Sequence, residues 1–159
     1  MKKHLEPTVN ESLMRFMIPA SGLVVAIYLA SSEHLVSALI ALIISIYIFR
    51  KVKRNLLLRN TGYPSNLANY QNCKSAAIIN GWSMVSDVEM VRLEFESSST
   101  LGSWGELITI MFTSNGILIN SRPSPLKRAS ITSLGRNRMN EQKVINMLEK
   151  NPYVGKKQK

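Results

Sequence analysis

Residues 16–49, FMIPASGLVVAIYLASSEHLVSALIALIISIYIF, carry one formal charge in 34 positions, Glu33 near their middle. Residues 16–32 give 17 uncharged positions and 34–49 give 16, against the 17 to 25 or so that a membrane-crossing helix uses. The stretch therefore reads as a transmembrane hairpin, with helices over about 14–31 and 34–52 and a tight turn between Ser32 and Glu33. At about 1.5 Å per residue each half covers roughly 25 Å. That is slightly short of a hydrocarbon core of about 30 Å, so Arg15 and Arg50 are expected to snorkel to the interface.

Small residues recur every fourth position in both halves, as Gly22, Ala26 and Ala30 and then as Ser37, Ala41 and Ser45. That spacing puts each trio on one helix face. Folded antiparallel, the pairs Gly22–Ser45, Ala26–Ala41 and Ala30–Ser37 all add to 67, as a helix-helix seam with matching depths requires. Gly, Ala and Ser are also common in membrane helices, so chance alignment competes with the seam. Lys2, Lys3 and Arg15 precede the hairpin, Arg50, Lys51, Lys53, Arg54 and Arg59 follow it, and the turn has neither Lys nor Arg. The positive-inside rule then puts both termini in the cytoplasm of an inner or plasma membrane.

Outside the hairpin the chain is polar, with room in its 159 residues for one further domain of about 100. A single cysteine, Cys73, excludes an internal disulfide framework and reads as an ordinary buried thiol. Lys2 and Lys3 before an apolar run ending Leu29-Ala30-Ser31-Ser32 also fit a cleaved signal peptide. The second apolar run needs the first as its antiparallel mate, which favours an uncleaved hairpin.

Residues 1–15 read as a cytoplasmic lead-in in which Asn10 or Ser12 caps the first helix and Glu11 sits near the positive end of its dipole. Beyond the second span, residues 50–59 continue the helix into the headgroup region, where Arg50, Lys51, Lys53 and Arg54 face anionic lipid. Residues 60–66 end it as a linker, with Gly62 as C-terminal cap and Pro64 as the stop. Residues 67–81 fit a short helix or a strand, stopped by Asn80-Gly81.

Val91, Leu93 and Phe95 alternate with Arg92, Glu94 and Glu96, the pattern of a half-buried strand. Residues 82–89 read as the same strand interrupted by a bulge. After a loop at 97–105 comes the sharpest local signal, Asn115-Gly116 between two apolar runs, a two-residue type I′ hairpin. That turn pairs Thr113 with Leu118, Phe112 with Ile119 and Ile110 with Ser121, and puts Ile108, Ile110, Phe112, Ile117 and Ile119 on one face. Ser130-Ile131-Thr132 adds one more short strand. A last helix follows, with Asn140 as cap, Met139 and Val144 as hydrophobic staple, and Val144, Ile145 and Leu148 as its apolar face. Asn151-Pro152 stops it, and 152–159 reads as a basic disordered tail.

The expected architecture is thus membrane-anchored α+β. A two-helix transmembrane hairpin leads into a small, mostly antiparallel sheet domain over 60–151, closed by a C-terminal helix. Its layout, though no motif, resembles bacterial pleckstrin-homology-like membrane proteins, with four or five strands counted where that fold has seven.

Charge is uneven. Residues 60–119 hold Lys74 and Arg92 against Asp87, Glu89, Glu94, Glu96 and Glu106, a net of −3, while 120–159 hold ten basic and two acidic residues, a net of +8. Arg122, Lys127, Arg128, Arg136, Arg138 and the terminal lysines are therefore expected to face anionic lipid, each worth about 1 kcal/mol near the surface. A solvated face that merely aids solubility explains the same charges. Nucleic acid is a poor competitor, because Gly135-Arg136-Asn137-Arg138 is too short for a motif and no recognised nucleic-acid fold signature accompanies it.

An enzyme is not expected. His4 lies in the lead-in and His34 at the turn, Asp87 is the one aspartate, and no catalytic, cofactor or metal constellation assembles. Trp82 and Trp104 read as packing residues. The expected role is a non-enzymatic accessory, adaptor or immunity/exclusion protein with a membrane-level protein partner. The alternative is a pleckstrin-homology-like module that reads anionic lipid through its basic C-terminal region.

Overall fold

The computed structural model describes residues 4–100, 103–127, 133 and 135–150. The expected strand at 130–132, Arg128 and the tail at 152–159 lie outside them. Two compact units divide the chain, one of them Leu5–Leu56 and the other built from Leu57 onward together with His4.

The first unit is two antiparallel helices, α1 (Val9–Ser31) and α2 (Leu35–Asn55). Thr8, and not Asn10 or Ser12 as expected, caps α1 through a reciprocal box. Its Oγ1 accepts from the Glu11 N–H at 3.3 Å, and Glu11 Oε2 accepts from the Thr8 N–H at 2.8 Å. The connection is a full Schellman turn, with the Glu33 N–H donating to the Ala30 carbonyl at 3.2 Å and the His34 N–H to Leu29 at 2.9 Å. Glu33 occupies the left-handed position, φ +65°, that glycine usually fills. α2 stops at Asn55, so residues 56–59 are not helical, contrary to the expected extension. Gly62 is accordingly not its cap.

The second unit is α+β. After β1 (Arg59–Asn60) come α3 (Leu67–Ile79), β2 (Ser83–Val88), β3 (Arg92–Glu96), β4 (Glu106–Thr113), β5 (Gly116–Pro123) and α4 (Arg136–Lys150). The five strands form one antiparallel sheet in the order β1-β5-β4-β3-β2. The ambiguous stretch at 67–81 resolves as helix because Asn66 caps it, its Oδ1 accepting from the Asn69 N–H at 2.9 Å. A second Schellman turn at Asn80-Gly81 ends it, with Gly81 at φ +64°.

Three expectations about strands and caps are corrected. Residues 82–96 are not one bulged strand but the β2–β3 hairpin, in which Val88 pairs with Arg92 around a three-residue turn. The phase break between Val88 and Val91 is the chain reversing, and Met90 carries the left-handed conformation, φ +56°, while packing against the core. The β4–β5 register is also two residues tighter than read, pairing Thr113 with Gly116, Phe112 with Ile117 and Ile110 with Ile119. The loop residues are Ser114-Asn115, and positive φ falls on Gly116 alone, +112°, so the turn is not type I′. A Cβ on Gly116 would stand 2.7 Å from the Tyr63 carbonyl, which accepts the Ile117 N–H at 2.9 Å. Glycine is needed there for close approach. A slip of two preserves facing, so the expected apolar face of Ile108, Ile110, Phe112, Ile117 and Ile119 forms as read.

Asn140, finally, is not a cap. α4 starts a turn earlier, where the Ser133 carbonyl and Oγ accept the Arg136 and Asn137 N–H groups at 2.9 and 3.4 Å. Val144 and Leu148 of α4, with Tyr70, Cys73, Ala76 and Ala77 of α3, cover the apolar face of the sheet and close the core. Tyr70 meets Phe112 edge-on at 5.4 Å, and Trp82 stands 6.4 Å from Phe95.

Candidate functional site

The apolar hairpin is the first candidate. Along its contact the structure places Gly22 against Ser45, where a Cβ added to Gly22 would meet Ser45 Oγ at 2.1 Å and Ser45 Cβ at 3.3 Å. Ala26, Ala38 and Ser45 are buried and Ala41 is half-buried. Ala30 and Ser37, expected as the third pair, are exposed, and half-buried Leu29 and buried Ala38 take that end of the seam. Steps of four residues advance about 40° round a helix, so two of them carry a stripe about 80° off the contact line. Replacing one step of four by three returns it. The register survives this rotation, since Leu29 and Ala38 share the sum of 67 with Gly22 and Ser45.

Between its turn and its charged end the rest of the hairpin surface is mostly apolar and exposed. Both helices are long and apolar enough to cross a membrane, and only 6% and 11% of their most apolar windows are buried within the chain. Leu23, Val24, Ile27, Leu35, Val36, Leu39 and Ile43 are among the exposed large side chains. At the end nearer the chain terminus, Arg15 rests against two rings, its Cζ 5.5 Å from the centroid of Phe16 and 5.3 Å from that of Phe49. Arg50, Lys53 and Arg54 are exposed and Lys51 half-buried on α2 at the same end.

The basic residues of the α+β unit do not form one free face. Arg122, expected to face lipid, is only 2% exposed. It lies on β5 with its Nη1 donating to Thr109 Oγ1 at 3.0 Å and Asn120 Oδ1 at 3.2 Å. Its charge is spent inside the domain, in a polar ladder that Arg92, Glu94 and Thr109 continue across the sheet. Lys127 reaches back to the Ser97 carbonyl at 3.2 Å and to Glu96 at 3.5 Å. Arg136 donates to Thr100 Oγ1, and Arg138 is exposed. The acidic and basic halves of the sequence thus interdigitate. Arg59 and Glu141, 3.7 Å apart, repeat the theme. Burial nonetheless raises the Glu141 carboxyl above its ordinary range, against the opposing pull of the Ser121 N–H and Arg59.

Two clusters went unread in the sequence. Glu106 is 0% exposed and accepts from Ser97 Oγ, Ser103 Oγ and, at 3.3 Å, Asn140 Nδ2. The parity of β4 held the signal, because Glu106 shares the inward phase of Ile108, Ile110 and Phe112. The second cluster joins α3 to β2, with Asp87 accepting from Tyr70 Oη and from Lys74 Nζ at 2.8 Å. Lys74 and Tyr70 lower the Asp87 pKa, and Asp87 raises both of theirs. Neither cluster lines the open groove of about 200 Å³ between α3 and α4, whose walls include Ile79, Lys143, Met147 and Lys150. Among the described residues no group of three His, Cys, Asp or Glu side chains could hold a metal ion.

Exposed apolar side chains also gather on the α+β unit. Ile78 and Ile79 end α3, and Met84, Val85 and Val88 lie on β2, an edge strand with neither Lys nor Pro. No protein-family model, curated protein or solved structure matches this chain.

Proposed function

We propose that the chain is a small integral membrane protein of the inner or plasma membrane, with both termini cytoplasmic and a non-enzymatic α+β interaction domain. Its role in this reading is that of an accessory, adaptor or immunity/exclusion protein. The observation that carries the membrane assignment is the exposure of the hairpin. Two helices whose most apolar windows are 6% and 11% buried leave a continuous apolar surface that water disfavours and hydrocarbon accepts. Apart from the Arg15 carbonyl, whose i+4 residue Pro19 has no N–H, their backbone hydrogen bonds close within each helix, as a hydrocarbon core demands.

The interaction role is supported by β2, whose outer edge is unpaired among the described residues and whose exposed Met84, Val85 and Val88 suit an added strand from a partner. The lipid-reading alternative loses Arg122 and much of Lys127 to internal pairing, which favours the protein partner.

Retention in the pellet after alkaline carbonate treatment is expected, and release into the supernatant would remove the membrane assignment. Affinity purification of the tagged full chain from native membranes is expected to retain a stoichiometric protein that Val85→Lys discards. A preparation carrying only lipid would shift the balance to the alternative.

A further inference from the structure

We propose that the Arg15 end of the hairpin is a built site for one lipid phosphate, distinct from the diffuse attraction of the neighbouring cations. The inference rests on the membrane reading above. Arg15 lies within cation-π distance of the rings of both Phe16 and Phe49, whose centroids lie 6.4 Å apart. Its Nε is buried and has no hydrogen-bond partner among the described residues. A buried guanidinium donor left unpaired is costly, and the Nε–Nη edge is the fork that takes two oxygens of a phosphate or carboxylate at once.

Arg15 also lies at a defined level of the hairpin. The Gly22–Ser45 contact sets that level, because the same register brings Arg15 opposite Val52, within the run Arg50-Lys51-Val52-Lys53-Arg54. This is where the apolar stretch ends and phosphodiesters begin. An oxyanion there meets the half-exposed Arg15 guanidinium, whose turn outward gives Nε the partner it lacks, and a cationic rim around it, while the acyl chains lie along exposed Phe16 and its apolar neighbours.

A free phosphate offers the same oxygens without the chains, so the two sources need separate arms. Delipidated full-length protein in detergent is titrated with phosphatidylglycerol and, separately, with inorganic phosphate, and adducts are counted by native mass spectrometry. One lipid adduct and no phosphate adduct is expected. Arg15→Gln should weaken the lipid adduct roughly tenfold. Arg15→Lys, which keeps the charge and loses the fork, should weaken it nearly as much. Phe49→Leu, which leaves Arg15 in place without one ring, should cost about threefold. Arg138→Gln, at an exposed position of α4, should leave it nearly unchanged. Binding by Arg15→Lys equal to the parent would overturn the site in favour of plain charge attraction, and saturable inorganic phosphate would overturn the lipid assignment. Release by carbonate defeats the membrane premise itself, whereas carbonate resistance with an unaltered Arg15→Gln adduct defeats this site alone.

Discussion

The two units of this chain bury apolar surface by opposite means. In the α+β unit the largest side chains go inside, and Leu93, Phe95, Ile108, Ile110, Ile117, Ile119 and Leu148 are almost wholly buried. In the hairpin the smallest go inside. Ala26, Ala38 and Ser45 meet at the contact, while leucines, isoleucines and valines point outward. The α+β unit manufactures its own apolar interior, with two helices laid on one face of a sheet. The hairpin brings two backbones together and leaves the apolar surface to whatever surrounds it. Side-chain volume is stabilising in one and obstructive in the other.

That contrast is sharpest in cavity-forming changes. Phe95→Ala should destabilise the α+β unit by about 3–5 kcal/mol, read by denaturant unfolding with the fluorescence of Trp82, 6.4 Å away. Ile43→Ala, on the exposed face of α2, should cost under about 0.5 kcal/mol. Equal losses would erase the distinction.

The reverse experiment adds volume. Gly22→Ile should cost the hairpin about 1–3 kcal/mol, since even a methyl group meets Ser45 Oγ, which already donates to the Ala41 carbonyl at 2.8 Å. Slower oxidative crosslinking of an Ala26→Cys, Ala41→Cys pair in the Gly22→Ile background would report the splayed helices. The native thiol will not interfere, because burial pushes Cys73 up to about 12. A smaller gain is expected at the turn. Glu33→Gly should stabilise the hairpin by about 1 kcal/mol in detergent melts, whereas the equivalent position in the α+β unit, Gly81, already holds the permitted residue.

The smallest effect is a pH dependence confined to the α+β unit. Lys74 and Tyr70 lower the Asp87 pKa, so its contribution is present above the ordinary carboxylate range and disappears as pH falls through the lowered value. Glu141 runs the other way. Its raised pKa means a cost at neutral pH that is relieved as pH falls through that value. Asp87→Asn should therefore lower the denaturation midpoint at pH 7 and cease to differ from the parent in acid. Glu141→Gln should raise the midpoint at pH 7 and converge with the parent at low pH. A midpoint for Asp87→Asn that tracks the parent across the whole range would show that the Lys74 pair contributes nothing.

Legibility followed the same divide. Hydropathy announces α1 and α2, and strict alternation announces the apolar face of β4 and β5, because both patterns are local and periodic. Register and reversal were harder. Gly116 was read as a loop residue when its positive φ serves close packing against Tyr63, and the β2–β3 turn places Met90, not glycine, in the left-handed region, leaving no local mark. Charge counting also fails for Arg122, since composition cannot reveal that Thr109 on the neighbouring strand and Asn120 on its own await it. Glu106 was legible by parity, but Ser97 and Ser103 from the 97–105 loop and Asn140 from α4 converge on it. Arg15 was visible as a flanking charge, and its unpaired Nε was not.

The sheet order has a consequence for synthesis. β1 is the first strand made, yet its ladder partner is β5, and the hydrogen bond from the Thr61 side chain to Ile117 spans 56 residues. At about 5–20 residues per second, roughly 3 to 11 seconds of translation separate the two. The central hairpins can close on nearest neighbours meanwhile, as low contact order favours. The strand that opens the domain is thus the last to be seated, and a ribosome paused before residue 119 holds a nascent domain whose entry strand still has no partner.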